Sequence, residues 1–244
     1  MKELIRGVAN SLGYDIVKTR NSNAELSTHL ANVVSSKNID CVLDVGANSG
    51  QYGYFLRKNG FRGTIISFEP VKAVFDELAR NAESDKNWLC YNLALGDQNE
   101  DKEINVYKST VFSSFLTASD YSKKIWNSLE TVKPETVKVC RLDDMFEEIV
   151  AKTRCQKFYL KMDTQGYDIN VFRGAKNSLT HIEALQSELS LIPVYNEMPA
   201  AYAVLSELHA HNYFISGMYP INRDASLAVI EYDCVLVKRT DPSS

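Results

Sequence analysis

Acids recur along this 244-residue chain where short apolar runs end. Asp44 closes Cys41-Val42-Leu43 and opens the loop Asp44-Val45-Gly46-Ala47-Asn48-Ser49-Gly50. Glu69 ends TIISFE, Asp97 follows LALG, Asp163 ends FYLKMD, and Glu188 lies in QSELS. Carboxylates at such positions accept hydrogen bonds, attract cations or take protons. Glycines beside the first of them let a ligand approach the backbone.

The loop separates two ligand chemistries. A dinucleotide loop needs GxGxxG, with backbone N–H groups against a pyrophosphate. The nearest fit here, Asn48 to Gly53, lacks the first glycine, and Asp44 repels a phosphate. The pattern Asp44-x-Gly46-x-Asn48-x-Gly50 suits a ligand bearing an ammonium and a sulfonium instead. S-adenosylmethionine carries both, with a carboxylate that suits a helix N-terminus. Glu69, nineteen residues beyond Gly50, is placed to accept both ribose hydroxyls, which fits nicotinamide cofactors equally. Asp97 is placed to accept from the adenine amino group. Plainer readings stay open: a tight turn for the loop, a helix cap for Glu69, a Gly-Asp turn for Asp97.

Methyl transfer from a sulfonium needs an aligned nucleophile, and an alcohol nucleophile also needs a base. Asp163 and Glu188 are the catalytic candidates, as base or as oxygen ligands of a divalent metal such as magnesium. The alternatives are a helix cap for Asp163 and an ion pair with Lys161 for Glu188. His29, His181, His209 and His211 read as surface or satisfied histidines. Acceptor contacts are expected from Ser113 and Ser114, flanked by Phe112 and Phe115, from Tyr195, and from Arg223, whose guanidinium suits an acidic group.

The elements that must hold these residues alternate. Apolar runs at 41–46, 64–70, 88–95, 158–163, 183–191, 213–219 and 232–239 read as strands. Helical spacing marks 3–12, 24–36, 50–59, the stretch after Pro70, 143–151, 165–175 and 199–211. Alternation of this kind predicts an open α/β sheet with helices on both faces, whose ligand lies beyond the strands' carboxyl ends. Residues 1–38 read as an N-terminal helical segment, a lid or a dimer contact. Residues 39–240 form the main domain, and 98–140 is a small β insertion covering it.

Composition narrows the function classes. Net charge is −4, which opposes bulk electrostatic binding to nucleic acid. No run approaches a membrane span, and no signal peptide is visible. Five dispersed cysteines, none in a metal spacing, suit a reducing cytoplasm.

DVGANSGQY, SFEP, NLALGD, SSF, RLDD, LKMDTQGYDINVFRGA and SELSLIPVYNEMP together resemble the FkbM-type S-adenosylmethionine-dependent methyltransferase family, from about residue 39 onward. The resemblance implies a Rossmann-like class I methyltransferase fold with a seven-stranded mixed sheet, its last strand antiparallel. It implies O-methylation of sugar, glycan or glycosylated natural-product hydroxyls. Family members often have Glu where Gln165 stands, and no catalytic role is carried to that position. A nitrogen or peptide-like acceptor, an NAD-dependent oxidoreductase and a non-catalytic adenosine-binding module are the alternatives. The expected partner is a small-molecule or saccharide acceptor, with homo-oligomerisation open.

Overall fold

The computed structural model describes residues 24–126, 129 and 131–239. The helix expected at 3–12 lies outside them. Helix α1 (Ala24–Lys37) leads into β1 (Cys41–Val45), α2 (Gln51–Lys58), β2 (Thr64–Phe68), α3 (Lys72–Ala82) and β3 (Trp88–Tyr91). The short β4 (Ala94–Leu95), β5 (Glu100–Tyr107), α4 (Asp120–Ile125) and β6 (Thr131–Cys140) follow. Then come α5 (Leu142–Thr153), β7 (Phe158–Met162), α6 (Asp168–Arg173), β8 (Ile182–Ser190), α7 (Ala201–Ala210), β9 (Tyr213–Arg223) and β10 (Val229–Lys238).

Seven strands form one sheet in the order β3-β2-β1-β7-β8-β10-β9. Strand β10 runs antiparallel to both neighbours and the other pairs are parallel, so the expected mixed sheet is present. Every residue of β1 and of β7 is buried, as strands covered on both faces require. Alternation divides β1 between two apolar layers. Cys41, Leu43 and Val45 join Leu142 and Phe146 of α5 and Val204 and Leu208 of α7. Val42 joins Leu30 and Val33 of α1, Leu56 of α2 and Leu78 of α3. Helix α1, the described part of the segment read at 1–38, packs Leu26, Leu30 and Val33 on this domain's own core.

A second sheet, β4-β6-β5, corresponds to the expected insertion. It is fastened to the main body by Ile104 and Val137 packed on Val71 and Val74, and by Tyr107 packed with Val194, Tyr195 and Ile230. The single third strand expected over 88–95 is two strands. Asn92 turns the chain by donating its amide to the carbonyls of Glu69 and Pro70, each at 2.9 Å, and Ala94-Leu95 then pair with β6. The helix expected from Gln165 starts only at Asp168, because Gln165 (φ 54°) and Gly166 (φ 90°) are left-handed.

Candidate active site

The carboxyl ends of β1, β2 and β7 open into a cavity of about 380 Å³, where an open α/β sheet binds its ligand. The β1–α2 loop makes one wall. Gly46 has φ 75°, and a Cβ there would run into the Asp163 carbonyl, so only glycine fits. The N–H groups of Gly46 and Ala47 donate to the Phe68 carbonyl at 3.1 Å. Asn48 (φ 47°) holds the turn by accepting the Ser49 N–H on Oδ1 at 2.8 Å. Glu69 faces the cavity with each oxygen already bound once, by Asn48 N–H at 3.0 Å and Val71 N–H at 2.9 Å. Burial pushes its pKa up to about 7 against those two hydrogen bonds.

Beneath the cavity a belt of polar side chains crosses the sheet. Register sets Asp44 beside Ser67 on one side and Lys161 on the other, and Lys161 beside Gln186. Trp88 Nε1 donates to Ser67 Oγ (3.0 Å), and Ser67 Oγ donates to Asp44 Oδ2 (3.0 Å). The Lys161 ammonium lies 3.1 Å from Asp44 Oδ1, 3.4 Å from Asp163 Oδ2 and above the Tyr52 ring. Tyr52 and Tyr159 both donate to Gln186 Oε1, and Gln186 Nε2 donates to Asp233 Oδ1 (2.8 Å). Burial pulls the Lys161 pKa down, but the charges of Asp44 and then Asp163 outweigh it and hold the ammonium above its ordinary range. Burial raises Asp233 to about 6.

Past the end of β7, the Asp163 side chain is 42% exposed. Gln165 Nε2 donates to Asp163 Oδ1 at 3.0 Å and to Glu188 Oε2 at 2.7 Å. The Tyr195 hydroxyl lies 2.8 Å from both Gln165 Oε1 and the Phe112 carbonyl, sharing its one proton between them, and Ser114 Oγ donates to the Gln165 carbonyl at 2.7 Å. The turn is pinned from below by buried Asp168, which accepts from Thr164 N–H and hydroxyl, Ser187 hydroxyl and Glu188 N–H. Burial, and then the charges of Asp163, Glu231 and Asp233, push the Glu188 carboxyl well above its usual range.

The model of the methyltransferase FkbM domain matches residues 44–215, from the first of these acids through β8 and α7. The chain belongs to the FkbM methyltransferase family. Methyltransferase 1 of Beauveria bassiana (strain ARSEF 2860) is 25% identical over 144 residues, 54% of this chain and 57% of that protein. The chain thus matches little more than half the length of this relative. An rRNA methylase structure from Streptococcus thermophilus aligns with TM-score 0.49 and 10% identity over 92% of this chain and 100% of that one. Aeropyrum pernix fibrillarin with bound S-adenosyl-L-methionine aligns with TM-score 0.46 and 11% identity over 85% and 74%.

Among the site residues read from the sequence of this FkbM domain, Gly46, Asn48, Glu69, Asp163, Ser113 and Ser114 line the cavity. Asp44 is fully buried and Gly50 packs on Leu78 and Trp88, so both lie behind the wall. Asp44 therefore does not offer its charge to a ligand; Lys161 has taken it. Asp97 stands beyond β4, against Gly174, and Ala94 and Leu95 line the cavity in its stead. Glu188 reaches the site through Gln165, not through an ion pair with Lys161. Asp163 precedes α6 by a turn and does not cap it. Tyr195 is a buried strut between Phe112 and Gln165, and Arg223 sits at the β9–β10 turn, donating to the Leu227 carbonyl. No histidine lines the cavity among the described residues. Among those residues, no group of three or more His, Cys, Asp or Glu is arranged to hold a metal ion. The sequence reading missed Gln186, Asp233 and Asp168, and named Lys161 only as a partner for Glu188. A lysine inside the apolar run Phe158–Met162 was the one local signal.

Proposed function

We propose that the protein is an S-adenosylmethionine-dependent O-methyltransferase whose acceptor is a hydroxyl of a sugar, glycan or glycosylated natural product. One observation carries the reading: Asp163, a partly exposed carboxylate, stands on the cavity wall with its own carbonyl pressed against Gly46 of the glycine loop. The donor loop and the candidate base are thus in contact.

The residues present fit the cofactor. The backbone of Gly46, Ala47 and Asn48 forms one wall of the cavity, with no side chain at Gly46 to cover it. Glu69 keeps a free lone pair on each oxygen for ribose hydroxyls. Phe68, Pro70, Ala94, Leu95 and Ile104 give an apolar bed for a flat base. When bound, S-adenosylmethionine supplies a methyl group on a sulfonium, open to in-line displacement. Asp163 accepts the proton of the acceptor hydroxyl as attack proceeds. Lys161 and Gln165 hold its two oxygens, and Val111, Phe115 and Tyr52 line the same cavity.

The test is methyl transfer from radiolabelled S-adenosylmethionine to a panel of sugars, glycosides, amines and peptides. Expected are binding of S-adenosylhomocysteine, label on a hydroxyl, and a loss of turnover of about 10²–10⁴ in Asp163→Asn with cofactor binding retained. Label on nitrogen alone, or turnover unchanged in Asp163→Asn, would overturn the reading.

A further inference from the structure

We propose that Gln165 is a positioning residue whose neutral amide takes the place of a divalent cation between Asp163 and Glu188. The proposal rests on Asp163 standing at the acceptor, as argued above. Two carboxylates turned toward one gap repel unless a cation or a proton donor sits between them. Here the donor is Gln165 Nε2, 3.0 Å from Asp163 Oδ1 and 2.7 Å from Glu188 Oε2. Both of its N–H bonds are committed, one to each acid. The amide stands with its oxygen 2.8 Å from the Tyr195 hydroxyl and its nitrogen toward the two acids.

The backbone supports the same assignment. Gln165 holds φ 54° although it carries a long side chain, in a conformation that L residues rarely adopt. That conformation is fixed by Ser114 on its carbonyl and by the Asp168 turn beneath. Strain of this kind is retained where the side chain must point to one spot. The spot is the midpoint of the two acids. Through Tyr195 and Ser114, Gln165 also ties the insertion and the β8 loop to Asp163, so the acceptor side of the cavity and the candidate base share one joint. An amide does this without adding charge. A carboxylate at the same position would give three acids facing one point, the oxygen-rich donor set that divalent cations select.

Calorimetric and electron-spin-resonance titration with MnCl2, in the presence of S-adenosylhomocysteine, tests this on the full chain. Expected are no bound Mn²⁺ in the wild type at millimolar metal and a gain in affinity of roughly tenfold or more in Gln165→Glu. Adding Glu188→Gln to that variant should abolish the gain. Tight Mn²⁺ binding by the wild type that Asp163→Asn removes, or no gain in Gln165→Glu, would overturn the proposal. Should Gln165→Glu fail to bind S-adenosylhomocysteine, Gln165→Ala replaces it. Emptying the gap must then raise Mn²⁺ affinity, and no rise overturns the proposal equally. The metal titration is independent of the methyl-transfer assay, so failure of one reading is distinguishable from failure of the other.

Discussion

Lys161 carries an ammonium into a strand whose five residues are all buried, and Asp44 beside it is fully enclosed. Removing one member of such a pair strands the other charge, which costs about 3–5 kcal/mol. Lys161→Met should lower unfolding stability by that order in urea titration, and adding Asp44→Asn should recover most of the loss. Glu69 gives a pH signature. Its carboxyl has a pKa near 7 in the fold, above the ordinary 4.5, so the folded state holds the proton more tightly than the unfolded chain. The stability it contributes is present at low pH and is lost as pH rises from about 4.5 through about 7. Ribose hydroxyls donating to the ionised form shift the balance the other way. Affinity for S-adenosylhomocysteine should rise by up to about tenfold per pH unit approaching neutrality and then level off. In Glu69→Gln the profile, read by calorimetry, should be flat and the binding weaker.

At the scale of elements, the β1–α2 loop is the part that tolerates least. Gly46→Ala brings a methyl against the Asp163 carbonyl in a left-handed position, and strain of that type costs about 1–3 kcal/mol. Thermal unfolding should register the loss, and S-adenosylhomocysteine binding should fall, because relief requires moving either the loop or Asp163. The loop, β1, β2 and β7 were legible in the sequence because local signals mark them: largely apolar runs closed by an acid, with glycine following in the first. For the same reason Glu69 and Asp163 were found. Asp97 was misplaced because Asn92 turns the chain out of the main sheet, and no local pattern shows where an amide will find two carbonyls. Of the belt from Trp88 to Asp233, only Asp44 and the lysine set within an apolar run were legible. Its members become neighbours only through the register of strands far apart in the chain. Gln165 was set aside on the resemblance, yet its side chain joins Asp163, Glu188 and Tyr195.

Across the whole molecule, the two sheets differ in how they are held. The main sheet is enclosed by apolar layers on both faces, whereas β5 keeps most of its residues exposed or half-buried and leans on two small clusters. Local opening follows such differences. Hydrogen exchange should be slowest in β1, β7 and β8 and faster in β5 and β6. S-adenosylhomocysteine should protect residues 110–116 and 163–166, which meet at the Ser114–Gln165 hydrogen bond. The far rim of the main sheet has its own consequence. Strand β9 closes that side with eleven residues, and Ile215, Met218 and Ile221 are exposed along it. Among the described residues no further strand pairs with β9, and an edge strand of that length can take on another chain, the first step toward aggregates. Pro220, which has no N–H to offer, lies within this edge strand, where proline counters such pairing. Exchanging it for valine should turn a well-behaved solution into one that clouds on standing.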